Sequence, residues 1–424
     1  MSPPAAHRAT TASLQAAYPF VSDAGPAGGP LLGRDVMGGP FFFDPWELYH
    51  GGLLTNPNVL VVGQLGRGKS TFVKTLVWRQ LAFGRKAWIV DPKGEYGPLA
   101  AACGVEPVKL VPGGDLRLNP LTVPGGAGAD EAARRGAELA GALLACSLGR
   151  TLHPAERTAL DVAVRRATSA GQPTLPQVVE RLLEPDPADA SLLHTDPATL
   201  ASDGRIAALE LRRMVAGDLA GMFDGPTTPS VDLAGGLVVV DVSATFATPA
   251  LPLVMTCATA WLQAALASGA SQATQRLVVV DEAWSILSDL GTARWAQATF
   301  KLARAFGVAN VVVVHRLSDL RAAGPDGSAQ EKLAEGLLAD SETRVVFGQP
   351  PSEAEVTARM LRLSRREADL VPRLPRGAAL WKLGARSFLV RHLLGAPERR
   401  LVDTDAAMRG SGGPLEAPER RGDG

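Results

Sequence analysis

The stretch Asn58–Val77, NVLVVGQLGRGKSTFVKTLV, decides the architecture. An apolar run ends at Gly63, the loop Gly63–Ser70 (GQLGRGKS) fits G-x-x-x-x-G-K-[ST], and a helical pattern follows. Glycines in such a loop let backbone N–H groups converge on phosphate oxygens, and the next helix adds its positive N-terminus. The pattern assigns Gly63, Gly66, Arg67, Gly68, Lys69, Ser70 and Thr71 to nucleotide binding. Lys69 would reach the β- and γ-phosphates, and the Ser70 hydroxyl would bind Mg²⁺. A chance match in a chain with 45 glycines is the rival reading, and the strand–loop–helix context argues against it.

A P-loop needs a second carboxylate for its magnesium. LVVVDE supplies one at a strand end, with Asp281 for the metal and Glu282 beside it to orient or deprotonate the attacking water. The adjacent glutamate points to hydrolysis by a RecA-like ATPase, with an extra strand between the P-loop strand and the strand bearing Asp281. No N-K-x-D run is present to read guanine, and no LSGGQ-like stretch marks a transporter-type ATPase.

Outward from these motifs the chain is ordinary in composition. Apolar residues make up 46% and charged residues 20%, and 43 basic residues balance 43 acidic ones. No global field therefore attracts nucleic acid or an acidic membrane. Cys103, Cys146 and Cys257 have no paired spacing, so neither a disulfide framework nor a zinc site follows, and a reducing cytoplasm fits. Val242–Gln275 carries no charge but is diluted by Ser, Thr, Gln and proline between two strand-like runs. It reads as a buried crossover helix rather than a membrane span.

Residues 1–56 read as a lead-in, extended and rich in Gly and Pro over 22–40, with FFFDPWELY packing aromatic groups before the first strand. Residues 57–124 and 222–400 read as the ATPase core, 125–221 as an all-helical insertion and 401–424 as a disordered tail. VKLVPGG and LRLNPL look like short strands or extended segments, and KAWIVD gives a strand ending at Asp91. Later strands are expected over Gly236–Val242, Gln275–Glu282, Ala309–His315 and Thr343–Gln349. Their continuous valine runs fit a parallel sheet buried on both faces. AALWKLGARSFLVRHLL predicts a hairpin at the sheet edge, turning at Gly384. The fold class expected is therefore α/β: a RecA-like P-loop core, its mostly parallel sheet flanked by helices, with a helical insertion and a late β-hairpin.

In order, GQLGRGKS, DPKGEY, VVVDEAW and RAFGVANVVVVHRLSDL resemble the HerA–FtsK superfamily, and within it the conjugative-transfer ATPases of type IV secretion systems in their actinobacterial form. The resemblance covers about residues 40–400. It implies a hexameric ring of RecA-like domains binding ATP and Mg²⁺ between subunits, with possible secretion or conjugation channel partners. No transmembrane segment of its own is expected, and membrane association would come through those partners. Arg304, in RAFGV, stands where family members point an arginine into the neighbouring ATP; an ordinary helix-surface arginine is the alternative, and Arg316 and Arg344 are reserves. His315 stands where the family usually has a glutamine sensing the γ-phosphate, and it could equally cap a strand. Asp91 and Glu95 either tune the metal or water, or form a turn. Family members often carry a long N-terminal docking domain, whereas the P-loop here begins at Gly63.

The cargo stays open between protein secretion and DNA, and a nucleotide-gated assembly module with little turnover is a third reading. Between Arg359 and Arg400, eleven basic residues stand against three acidic ones. Such a stripe could follow a phosphate backbone or form a solvated or subunit-contacting face.

Overall fold

The computed structural model describes residues 26, 28–36, 38–122, 128–229, 231, 235–267, 275–287, 289–303, 307–318, 336, 338 and 341–402. Eleven strands form one mixed sheet: β1 (Leu31–Asp35), β2 (Pro40–Phe42), β3 (Val59–Val62), β4 (Lys86–Asp91), β5 (Val108–Lys109), β6 (Leu237–Asp241), β7 (Arg276–Val280), β8 (Val308–Val314), β9 (Thr343–Phe347), β10 (Ala378–Leu383) and β11 (Arg386–His392). Their order is β2-β1-β11-β10-β9-β3-β8-β7-β4-β6-β5. From β9 to β5 the strands are parallel; from β2 to β9 each pair is antiparallel. The P-loop strand β3 and the strand preceding Asp281, β7, are separated by β8, the extra strand expected from the sequence.

The valine runs are buried for the expected reason. On β3, Val59 and Val61 enter one core and Leu60 and Val62 the other, because successive side chains leave opposite faces of a strand. Helices α1 (Pro45–His50), α2 (Lys69–Ala82) and α3 (Gly97–Ala102) cover the first face through Trp46, Phe72, Leu76 and Leu99. On the second face α9 (Leu251–Ala267) and α11 (Leu290–Ala303) pack on β4 and β8, and α4 (Ala129–Leu148), α5 (Pro154–Ser169), α6 (Leu175–Leu183), α7 (Pro187–Leu192), α8 (Pro197–Ala216) and α10 (Trp284–Leu287) join the same core. Residues 128–221 hold α4–α8 and, among the described residues, no strand. Helix α9 is the uncharged crossover between β6 and β7, and Val254, Met255, Trp261 and Leu262 are buried in the core. Among the described residues no helix is long and apolar enough to cross a membrane.

Two expectations are corrected. The lead-in over 22–40 contributes strands: β1 pairs with β11, at the far end of the chain, and with β2. That pairing uses Gly33, where an added Cβ would stand 2.5 Å from the Arg391 carbonyl oxygen. The hairpin β10–β11 is consequently interior, and β2 forms the sheet edge. Of VKLVPGG and LRLNPL, only Val108–Lys109 becomes a strand. The tail expected over 401–424 lies outside the described residues from 403 onward.

Candidate functional site

The P-loop lies at the carboxyl edge of the parallel strands. Gly63, Gly66 and Gly68 have φ of 153°, 77° and 109°. A Cβ on Gly63 would also stand 2.5 Å from Phe347 Cβ, so both conformation and space require glycine there. Neighbouring loops brace the turn: Gln64 N–H donates to the Gly348 carbonyl at 3.1 Å, and Gly377 N–H to the Arg67 carbonyl at 3.0 Å. Lys69 opens α2, is 3% exposed, and donates from Nζ to the carbonyls of Gly63 and Gln64. Burial lowers its ammonium to about 8, against the opposing charges of Asp281 and Glu282. Ser70 and Thr71 follow on the first turn of the helix, both half-buried.

Past the end of β7, Asp281 is buried and accepts a hydrogen bond from Tyr96 Oη at 3.1 Å and one from Glu282 N–H at 2.9 Å. Burial and then the Glu282 charge raise its carboxyl above the ordinary range. Glu282 is 2% exposed and left-handed, with φ of 51°. Trp284 Nε1–H donates to its Oε2 at 2.7 Å, while Lys93 Nζ and His315 Nε2 both contact its Oε1. Burial alone would raise the Glu282 carboxyl; the contacts from His315 and Lys93 outweigh it and hold the group at about 2. His315 Nε2 is also 3.2 Å from Lys93 Nζ.

The turn after β4 delivers Lys93 and Tyr96. Asp91 is buried there and accepts from the N–H groups of Lys93 at 3.1 Å and Tyr96 at 2.9 Å. Burial raises its carboxyl to about 6. Glu95 pairs with the buried Lys74 of α2 at 3.6 Å.

The sequence model of the AAA-like domain family matches residues 45–110. A comparison with curated proteins gives no match. Among solved structures, VirB4 of Thermoanaerobacter pseudethanolicus matches with a TM-score of 0.73 at 21% identity, over 89% of this chain and 99% of that one. The chain has the fold of VirB4. The plasmid coupling protein TrwB in complex with ADP and Mg²⁺ matches at a TM-score of 0.55 and 16% identity, over 88% of this chain and 97% of that one. TrwB with a non-hydrolysable ATP analogue matches at 0.53 and 16%, over 80% of this chain and 85% of that one. The resemblance to conjugative and type IV secretion ATPases read from the four motifs thus holds at the level of fold.

On this VirB4-like frame, Lys69, Asp281, Glu282 and His315 gather at one edge of the sheet. Arg304 lies outside the described residues. Arg316 is exposed just past β8. Arg344 sits near the amino end of β9, away from this chain's own P-loop edge, and donates to the carbonyls of Ser341 and Leu361. Lys93, Tyr96 and Trp284 were not singled out by sequence. Their signal lay inside DPKGEY and VVVDEAW, each one to three residues from a carboxylate already chosen. The Ser70 hydroxyl and an Asp281 oxygen are hard oxygen donors of the kind Mg²⁺ takes, with phosphate and water completing the shell. Among the described residues no cluster of three His, Cys, Asp or Glu could hold a metal without such a ligand.

Proposed function

We propose that this chain hydrolyses ATP with Mg²⁺ and, as a ring of copies, drives conjugative or type IV secretion-like transport. The observation that carries the reading is the strand order: the P-loop and the Asp281–Glu282 pair leave the carboxyl ends of β3 and β7, two strands apart in one parallel sheet. In this reading the backbone of residues 63–70 and Lys69 grip the β- and γ-phosphates. Ser70 and Asp281 hold Mg²⁺, which when bound neutralises charge on the phosphate oxygens. Glu282 takes a proton from water as its oxygen attacks the γ-phosphorus and the bond to the β–γ bridging oxygen breaks. His315 orients Glu282. Arg304 of one copy reaches the ATP of the next, where a fixed guanidinium fork suits phosphate.

DNA is the second reading of the cargo. Nine of the basic residues between 359 and 400 are exposed arginines, while Lys382 is engaged by Glu367 and Arg386 lies over the Phe388 ring.

Phosphate release by the purified chain tests the proposal. Lys69→Ala and Glu282→Gln are expected to lower turnover by about 10²-fold or more, and DNA stimulation that fades with salt would assign the cargo. Wild type hydrolysing no faster than Glu282→Gln, with or without DNA, would sink the motor.

A further inference from the structure

Glu282 is held too firmly to act as a base. Its Oε1 is engaged by Lys93 and His315 and its Oε2 by Trp284, inside a site where the carboxylate is 2% exposed. One of the three donors must leave before water can take its place.

Lys93 is the one built to leave. Trp284 is two residues from Glu282 on the same segment, and His315 directly follows the last residue of the adjoining strand β8. Lys93 instead rides the turn after β4 on a flexible stem whose side chain is 23% exposed, with Phe246 beneath its ammonium at 5.6 Å. It stands at the phosphate-loop end of the sheet as well: Val62 and Val314 pair on β3 and β8, so Gly63, whose carbonyl holds Lys69, and His315, which lies 3.2 Å from the Lys93 ammonium, leave neighbouring strand ends. One ammonium is thus anchored on the glycine loop and the other on Glu282, at neighbouring ends of the same sheet edge. That is a seat for an anion of higher charge than a carboxylate.

We propose that Lys93 is an exchangeable latch: it neutralises Glu282 until the terminal phosphate of a bound triphosphate draws its ammonium away, freeing Glu282 Oε1 for water. His315 and Trp284 then remain as the donors that orient the carboxylate. Lys69 spans the β- and γ-positions, and Lys93 lies on the Glu282 side of it, so a diphosphate does not reach the latch. The device makes hydrolytic competence depend on the third phosphate. Lys93 is thus a positioning residue for Glu282 that becomes a phosphate contact.

The inference rests on the nucleotide reading above, and its test separates the two. In the full-length chain the indole ¹⁵N–H resonance of Trp284, assigned with Trp284→Phe, reports on Glu282. Calorimetry measures binding of AMP-PNP·Mg²⁺ and ADP·Mg²⁺ in parallel. Both nucleotides are expected to bind, and only AMP-PNP to shift the Trp284 resonance. In Lys93→Met the resonance is expected at a changed position without nucleotide, with affinity for AMP-PNP weakened about tenfold by loss of one charged contact and that for ADP unchanged; Lys93→Arg should restore the preference. Binding of AMP-PNP with no movement of Trp284 overturns the latch alone, and the wild-type comparison decides this even if Lys93→Met fails to fold. Absence of binding by either nucleotide overturns the nucleotide reading and the latch together.

Discussion

Single residues carry the chemistry here, and their legibility depended on distance along the chain. The P-loop and the Asp281–Glu282 pair were readable because their parts are contiguous. Lys93 and Tyr96 meet Glu282 and Asp281 only because β4 pairs with β7, a neighbour relation that no local pattern encodes. Tyr96 is fully buried, and its hydroxyl is a hydrogen-bond partner of a buried carboxylate. Tyr96→Phe removes that donor with little change in shape. It should cost about 1.5–3 kcal/mol, the usual worth of a hydrogen bond to a charged group, and raise the Mg²⁺ concentration for half-maximal turnover. Urea unfolding and a magnesium titration check it; unchanged values in both would remove Tyr96 from the site. Glu282 adds a left-handed backbone at a non-glycine position, a conformation uncommon enough outside glycine, Asn and Asp to mark a constrained site.

Elements were more legible than their ends. The valine runs gave strands β6–β9 almost whole, yet β7 stops at Val280 and β8 at Val314, leaving Asp281, Glu282 and His315 just past the ladder. Helix ends follow local chemistry that can be tested separately. At the start of α5, Glu156 accepts from His153 N–H at 2.8 Å and from both terminal nitrogens of Arg150. The Arg150 hydrogen bond holds its carboxyl at about 2, below the ordinary 4.5. A folded-state value below the unfolded one stabilises above the unfolded value and is lost as pH falls through the folded one. The melting-temperature advantage of wild type over Glu156→Gln should therefore be full above pH 4.5 and shrink between pH 4.5 and 2. A gap that stays constant across that window would show that the carboxylate adds no pH-dependent stability.

At the scale of the whole molecule, the two ends of the described chain close the sheet together. Trp381 on β10 packs against Phe41 and Phe43 at 5.0 Å and Phe72 at 5.4 Å between ring centroids. This joins the N-terminal edge, the late hairpin and the P-loop helix in one aromatic cluster. Trp381→Ala should destabilise by about 3–5 kcal/mol, as large-to-small core changes do, and expose residues 31–45 to protease first. A smaller loss of stability with 31–45 still protected would mean the edge is held by its backbone ladder instead. By itself the sequence determined the phosphate loop, the acidic pair and the parallel valine core, because each is written in residues adjacent or periodic along the chain. Only the tertiary structure decided that β1 and β2 cap the sheet and the hairpin lies inside it, and that Lys93 grips Glu282. Those contacts form between segments that share no local signal and meet only through strand order and the space left at the sheet's carboxyl edge.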